Sequence, residues 1–176
     1  MIYLLSLLLT MFCMQQETIF DFKKSSNIND WRVINDGVMG GLSKGSFDLS
    51  SEGHAVFHGH VSTRNNGGFS SVRFSNLELK ASKKSKVILK IKGDGKKYQF
   101  RIKNNKENYY SYITTFQTSG DWEEIVIPIK NMFPSFRGRK LNQANFSHNT
   151  IEEVAFLIAN KKEEDFKLMI DSIELN

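Results

Sequence analysis

Short stretches of apolar residues, separated by turn residues, follow one another along the chain after residue 16. In residues 87–91, the apolar positions 87, 89 and 91 share one face of a strand. In residues 98–103, Tyr98, Phe100 and Ile102 alternate with polar residues in the same way. No window of 12 residues has apolar positions at a helical period. The pattern therefore predicts eleven strands: 19–22, 31–34, 46–49, 55–61, 69–74, 87–91, 98–103, 110–116, 124–129, 154–159 and 166–175.

Strands of this length and spacing predict an all-β fold in which two sheets bury their apolar faces against each other, as in a β-sandwich or jelly roll. The chain has no internal repeat and no linker, so residues 17–176 are expected to form a single β-sandwich domain. The longest stretch without a strand pattern is 131–150, which contains Phe133, Phe136 and Phe146. We expect this stretch to cover an edge or an end of the sandwich.

The first 16 residues differ from the rest because they contain no charged side chain. Their apolar part, residues 2–14, is shorter than the roughly 20 residues of a membrane-spanning helix and resembles the apolar region of a secretory signal. It lacks preceding positive residues and a small-x-small cleavage site. We expect export or membrane association through this leader, with a soluble intracellular protein as the second possibility. Cys13 lies in the leader and is the only cysteine, so no intrachain disulfide can form.

The net charge of +5 raises the question of an anionic partner. Lysines are frequent between residues 80 and 97, but no nucleic-acid-binding motif accompanies them. We interpret them as solvated turns and strand faces, and we expect no nucleic-acid partner.

The first glycine-rich motif is residues 35–43 (NDGVMGGLS), which has three glycines within five residues. Glycines permit positive φ and close approach of the backbone. The motif lacks the G-x-x-x-x-G-K-[ST] pattern of a phosphate-binding loop, and no helix is predicted after it. We therefore expect no nucleotide and no other cofactor.

The second glycine-rich motif is residues 65–73 (NNGGFSSVR), in which a turn leads into a strand. Phe69 and Arg73 lie on one face of that strand and could offer a ligand a stacking ring and a bidentate donor. In the alternative interpretation, Phe69 is part of the core and Arg73 pairs with a carboxylate such as Asp36.

Three histidines, His54, His58 and His60, project from one face of a predicted strand. Two histidines at this spacing can ligate zinc, but the sequence identifies no further ligand, and we expect a polar, solvent-facing strand without a metal. No motif brings together a nucleophile, a base and an orienting group. We therefore expect a protein that is not an enzyme.

Residues 31–43 and 65–73 together, in this order and spacing, resemble the complex I intermediate-associated protein 30 family. The resemblance covers about residues 18–175. It implies a galactose-binding-like β-sandwich and, for some relatives, a chaperone-like role in assembling NADH:ubiquinone oxidoreductase (complex I) at a membrane. Mitochondrial members need a transit peptide, which is typically rich in arginine, whereas this leader has no Arg or Lys. The structural or binding candidates that the motifs imply are Asn35, Asp36, Gly37, Met39, Gly40, Asn66, Gly67, Gly68, Phe69, Arg73 and Arg137.

Two functions remain open at this point. A protein-binding module would expose an apolar patch, which we expect around Phe133 and Phe136. A carbohydrate-binding module at the cell surface or in the periplasm would need a concave face with aromatic rings and polar side chains. The candidates for that face are Trp31, Tyr110, Tyr112, Arg101 and Arg73.

Overall fold

The computed structural model describes residues 17–176, in which the extended elements are β-strands and the helical elements are 3-10 turns of three or four residues. In chain order the strands are β1 (Glu17–Asp21), β2 (Trp31–Asn35), β3 (Lys44–Leu49), β4 (Ala55–Val61), β5 (Ser70–Phe74), β6 (Leu79–Lys80), β7 (Lys86–Lys92), β8 (Lys97–Lys103), β9 (Ser111–Gln117), β10 (Trp122–Pro128), β11 (Phe133–Phe136), β12 (Arg139–Lys140), β13 (Thr150–Ile151), β14 (Glu153–Ile158) and β15 (Glu164–Leu175). The predicted all-β class is confirmed.

Two sheets form a sandwich. The six-stranded sheet has the order β10-β7-β15-β4-β3, and β1 pairs with β15 beside this path. The seven-stranded sheet has the order β12-β11-β9-β8-β14-β5-β2, and β6 pairs with β13 in a separate short ribbon. The long strand β15 pairs with β4 through its first half and with β1 through its last residues. The first and last strands of the described chain therefore meet in one sheet.

The core lies between the two sheets and follows from the alternation along each strand. Tyr98 and Phe100 of β8, Phe57 of β4 and Phe156 of β14 are completely buried. Burying a large apolar side chain stabilises the fold by about 1.5–3 kcal/mol. The ring of Phe100 packs edge-on against that of Phe156 on the neighbouring strand, at 5.3 Å between centroids. The expectation that Tyr98 and Phe100 point inward is thus confirmed.

A second group of rings closes one end of the sandwich and joins elements of both sheets. Trp31 of β2 stacks on Phe74 of β5 at 5.3 Å and also lies 4.9 Å from Phe47 of β3. Phe20 and Phe22 also pack against Trp31, each at 5.6 Å between ring centroids. The indole of Trp31 is almost fully buried, so it is a core residue and cannot offer its ring to a ligand.

The stretch 131–150 is less irregular than the sequence indicates. Strands β11 and β12 form a hairpin whose tip, Arg137-Gly138, has positive φ at both residues, as a two-residue turn requires. Strand β11 pairs with β9 and so extends the edge of the seven-stranded sheet. The strands are too short to show a period, which is why the pattern of the sequence does not reveal them.

Candidate functional site

The outer face of the seven-stranded sheet, which points away from the other sheet, carries a row of arginines. In the pairing register, Arg32 of β2 lies opposite Arg73 of β5, and Arg73 lies opposite Ala155 of β14. Ala155 in turn lies opposite Arg101 of β8. Directly opposite residues share a face of the sheet. We call Arg32, Arg73 and Arg101 the arginine row, with the small side chain of Ala155 between its second and third members.

The surface around the arginine row mixes small polar side chains with apolar ones, and many of them are buried. The buried residues are Ser71, Ser111, Ser135, Ile113, Ala155 and Leu157. Neighbouring positions on this face hold Gln99 and Thr115, which are opposite each other. Such a mixed surface can both donate hydrogen bonds and make apolar contact, as ligand-binding surfaces do.

A single carboxylate, that of the buried Glu153, lies beside the arginine row. It accepts a hydrogen bond from Ser75 Oγ at 2.7 Å and lies 3.9 Å from Arg73 Nη1 and 3.7 Å from Lys103 Nζ. The alternative that Arg73 pairs with a carboxylate is therefore confirmed, but that carboxylate is Glu153 and not Asp36. Sequence reasoning missed Glu153 and Lys103, since their proximity depends on the pairing of β14 with β8.

The guanidinium groups of Arg73 and Arg101 are incompletely paired. Within residues 17–176, Nε of each arginine is buried and has no hydrogen-bond acceptor. Burial, together with the positive charge of Arg73, lowers the pKa of Arg101 to about 10. Arg101 remains protonated near neutral pH but lies in an environment that does not fully solvate its charge.

The two glycine-rich motifs meet at one buried carboxylate. Asp36 accepts hydrogen bonds from the backbone N–H groups of Ser43 (3.0 Å), Gly68 (2.6 Å) and Phe69 (3.2 Å), and from Ser43 Oγ (2.5 Å). Ser43 Oγ in turn accepts the backbone N–H of Ser62. We call this arrangement the Asp36 hub. It joins the chain after β2, the chain before β3 and the chain before β5.

Close packing at the Asp36 hub explains two of the glycines. A Cβ atom on Gly41 would collide with the side chain of Asp36, and one on Gly67 would lie 2.6 Å from the carbonyl oxygen of Ser62. Beside the hub, Asn35 Oδ1 accepts hydrogen bonds from Gly45 N–H (3.1 Å) and Ser70 Oγ (2.7 Å). These contacts link the two sheets at one end of the sandwich.

The hydrogen bonds of the Asp36 hub stabilise the charged carboxylate. Burial raises the pKa of Asp36, but the bonds from Ser43, Gly68 and Phe69 together outweigh burial, so the pKa of Asp36 lies below the ordinary Asp value. An ionised carboxylate with four donors has little capacity left for a substrate or a metal. The geometry of the Asp36 hub is therefore that of a group that stabilises the fold and not that of a ligand-binding site.

The remaining predicted candidates are spread over the molecule. Gly37, Gly40 and Asn66 are exposed near the Asp36 hub, and Phe69 is half-buried there. The backbone of Met39 ends the 3-10 turn Asp36–Met39. Arg137, at the hairpin tip of β11 and β12, is exposed and lies over the ring of Phe136. These residues do not share one site with the arginine row.

Tyr112 does not lie on the face that holds Arg101, contrary to the expectation from sequence. It is opposite Ile102 and points into the core, where its hydroxyl lies 2.8 Å from His148 Nε2. A strand that places Ile113 outward must place Tyr112 inward. Tyr110, half-buried just before β9, packs between Tyr109 and Tyr112.

Exposed rings cluster beside the hairpin of β11 and β12. The side chain of Tyr109 is 62% exposed and its ring lies 5.1 Å from that of Phe136, which is 36% exposed. Tyr110 contacts Tyr109 at 5.2 Å. We call Tyr109, Tyr110 and Phe136 the aromatic patch. Phe136 thus lies in an exposed patch as expected, whereas Phe133 is half-buried beneath Lys140.

Two of the three histidines, both in β4, are hydrogen-bonded to an aspartate: His58 to Asp48 (2.9 Å) and His60 to Asp165 (2.8 Å). His54 lies just before β4, and its Nδ1 is 2.9 Å from a carboxylate oxygen of Asp171 without the geometry of a hydrogen bond. In the described part of the chain, no three His, Cys, Asp or Glu side chains are close enough to hold a metal ion. An open groove of about 660 Å³ on this sheet is lined by residues that include His58, His60, Lys44, Asp165 and Lys167.

The geometry defines a class of protein, a β-sandwich of the kind found in carbohydrate-binding modules. The chain superimposes on the family 11 carbohydrate-binding module from Clostridium thermocellum, in complex with a β-1,3-1,4-mixed-linked tetrasaccharide, with a TM-score of 0.68 and 17% identity over 91% of this chain and 94% of that chain. It also matches the agarase AgWH50C with a TM-score of 0.61 and 12% identity, over 92% of this chain and 24% of the agarase. The predicted galactose-binding-like fold is confirmed.

The sequence profile of complex I intermediate-associated protein 30 matches residues 20–170, and the chain belongs to that family. It is 27% identical to the mitochondrial complex I intermediate-associated protein 30 of Drosophila melanogaster and 24% identical to that of Mus musculus, over 92% and 90% of this chain. These matches cover 63% and 56% of the two relatives, so the chain spans little more than half of their length.

The predicted leader, residues 1–16, lies outside the described residues. Within residues 17–176, no helix has the length and apolar character needed to cross a membrane.

Proposed function

We propose that this protein is a non-enzymatic assembly factor of the complex I type, which binds a protein partner while a membrane complex is built. The observation that carries the proposal is the aromatic patch of Tyr109, Tyr110 and Phe136 on a protein of this family. Exposed tyrosine and phenylalanine rings supply large apolar contacts at small entropic cost and are enriched where proteins bind each other.

The charges around the aromatic patch indicate the chemistry of the partner. Arg137 and Arg139 flank Phe136, and Lys140 follows them, all exposed on the same hairpin. A patch of rings bordered by positive charges fits a partner surface that has an apolar pocket within an acidic rim. We therefore expect the partner to be an acidic protein segment or subunit of the assembling complex.

A binding role without catalysis agrees with the state of the buried polar groups. Asp36, the carboxylate of the first glycine-rich motif, accepts four hydrogen bonds and so has little capacity left to act in catalysis.

The test is capture of complex I subunits from solubilised membranes of the organism that makes the protein, quantified by mass spectrometry. We expect the variant with Tyr109→Ser and Phe136→Ser to retain less than about a tenth of the captured subunits, since aromatic anchors contribute about 2 kcal/mol or more each. Trp122→Ser is the matched control, because Trp122 is 39% exposed but lies on the other sheet. Equal capture by the double variant and the wild type would contradict the proposal.

A second candidate function is carbohydrate binding on the outer face of the seven-stranded sheet. It is supported by the mixed polar and apolar face around the arginine row and by the fold shared with the family 11 module. A glycan array probed with the purified protein tests it, with Arg101→Met as the comparison. Binding that is absent from the array, or unchanged in the variant, excludes this candidate for that face.

The proposed role requires a location at a membrane, for which we propose the apolar residues 2–14 as the targeting or anchoring segment. The names of the relatives place those proteins in mitochondria. Mass spectrometry of the mature N-terminus tests the segment, since removal and retention give different first residues.

A further inference from the structure

We propose that the outer face of the seven-stranded sheet binds a single oxyanion group of a ligand between Arg73 and Arg101, above Ala155. The site is distinct from the aromatic patch and does not depend on a protein partner. The shared chemistry is that of a carboxylate or sulfate, and the experiment below distinguishes the two.

The first argument is the hydrogen-bonding state of the two arginines. Buried polar atoms are hydrogen-bonded in the great majority of cases, and each exception calls for an explanation. Here Nε of Arg73 and Nε of Arg101 are both buried without an acceptor in the described chain. The protein thus leaves both guanidinium groups incompletely paired on one face of one sheet, and the Arg73 side chain, which is 32% exposed, can reach an acceptor that comes from solvent.

The second argument is spacing. Arg73 and Arg101 lie on strands that flank β14, so their Cα atoms are about 10 Å apart, which is two interstrand distances. Ala155, the residue between them, has the smallest side chain that still points outward. The register therefore leaves space above Ala155, between two long cationic side chains. A guanidinium group can donate two parallel hydrogen bonds to the oxygens of one oxyanion.

The third argument is charge balance. Arg73 and Lys103 lie within 4 Å of Glu153, whose carboxylate also accepts a hydrogen bond from Ser75, and Arg101 lies near enough to interact with its charge. Three positive groups therefore face one negative group, and Arg32 adds a further positive charge at the end of the row. Burial and the charge of Arg73 also lower the pKa of Arg101, which an oxyanion at this position would offset.

The net charge around the site indicates the order of preference between anions. The positive groups of the arginine row and Lys103 outnumber Glu153, so the potential at the site attracts an anion more strongly as the charge of that anion increases. Dianionic sulfate is therefore expected to bind better than a monoanionic carboxylate.

The experiment follows the Arg Nε–Hε signals of the purified protein by NMR while D-glucuronate or sulfate is added, with D-glucose as the uncharged control. We expect both anions to shift the signals of Arg73 and Arg101 in a saturable manner, with tighter binding of sulfate, and D-glucose to shift neither. Shifts of equal size at the exposed Arg137 and Arg139 would show nonspecific association and overturn the proposal. So would the absence of saturation at Arg73 and Arg101.

Two variants locate the site. Arg101→Met should weaken D-glucuronate binding about tenfold or more, because a charge-assisted pair is lost. Ala155→Leu fills the space between the arginines without changing the charge and should abolish the saturable shifts. Arg139→Met, on the neighbouring hairpin, is the matched control and should leave them unchanged. Full binding by Ala155→Leu would overturn the proposed position. Because these measurements need no partner, their failure is separate from failure of the aromatic patch to capture complex I subunits.

Discussion

The Asp36 hub and the arginine row are two regions of buried charge that differ in how well the charge is satisfied. Asp36 accepts four hydrogen bonds from three residues that lie near it in the fold. Arg101, by contrast, is largely buried and its Nε has no acceptor in the described residues. Both regions belong to strands of the seven-stranded sheet or to the loops next to them.

A residue that stabilises the fold and a residue that binds a ligand differ in how the chain satisfies their charge. A buried charge with all partners supplied by the chain is costly to remove, because its partners are then left without a counterpart. A buried charge with unused donors destabilises the fold, because the free energy lost on its desolvation is not offset by hydrogen bonds. The two regions should therefore respond in opposite directions when the charge is removed.

The largest expected effect is that of Asp36→Ala. The substitution leaves the N–H groups of Ser43, Gly68 and Phe69 and the Ser43 hydroxyl without an acceptor, and we expect the free energy of unfolding to fall by about 3–5 kcal/mol. Urea denaturation followed by fluorescence measures it. Ser43→Ala removes only part of the hub and should cost about 1–2 kcal/mol. A loss below 1 kcal/mol in both variants would show that the hub is not structural.

The next effect concerns the close packing of the Asp36 hub. Gly67→Ala places a Cβ atom 2.6 Å from the Ser62 carbonyl oxygen, and we expect a loss of about 2 kcal/mol. Gly37→Ala is the control in the same region, because the added Cβ has no atom within 4 Å and the backbone there does not require glycine. Thermal unfolding of the pair measures both. Equal melting temperatures would contradict the packing argument.

The pH dependence of stability tests the charge of Asp36. Because the folded-state pKa lies below the unfolded value, the contribution of Asp36 is present above pH 4 and is lost as the pH falls through the folded pKa. The slope cannot exceed about 1.4 kcal/mol per pH unit for one proton. As the pH falls below 4, we expect the free energy of unfolding of the wild type to decrease and that of Asp36→Asn to decrease less. Parallel curves for the two proteins would exclude the predicted shift.

The smallest effect, with the opposite sign, is expected for Arg101→Met. The methionine keeps an apolar stem of similar length and removes a buried charge, so the free energy of unfolding should stay the same or rise by up to about 1 kcal/mol. Chemical denaturation in a buffer without carboxylates or sulfate measures it. A loss of more than 2 kcal/mol would place Arg101 with Asp36 among the residues that hold the fold.

Much of the fold could be predicted from the order of residues because alternation is a local property. Tyr98 and Phe100 alternate with Gln99 and Arg101, and the structure places the first pair in the core and the second on the outer face. The hairpin of β11 and β12 could not be predicted in the same way. Its strands have four and two residues, and their extended conformation depends on the pairing of β11 with β9 and of β12 with β11.

The candidate site was only partly predictable. The sequence named Arg73 and Arg101 together as candidates for one ligand-binding face, and the strand register places both on the outer face of the seven-stranded sheet. It also singled out the two glycine-rich motifs, but it could not show that they meet at Asp36. It missed Glu153 and Ala155, because nothing in the sequence near β14 indicates which strands lie on either side of it.

The sequence by itself determined the all-β class, the inward face of each long strand and the two glycine-rich motifs, because these depend on residues close to one another along the chain. Only the tertiary structure decided that Arg73 and Arg101 flank Ala155 and that the two motifs share one carboxylate. Strand register is a property of pairs of strands far apart in sequence, and shifting it by one residue would exchange the outer face for the core. The arginine row therefore exists only in the folded sheet.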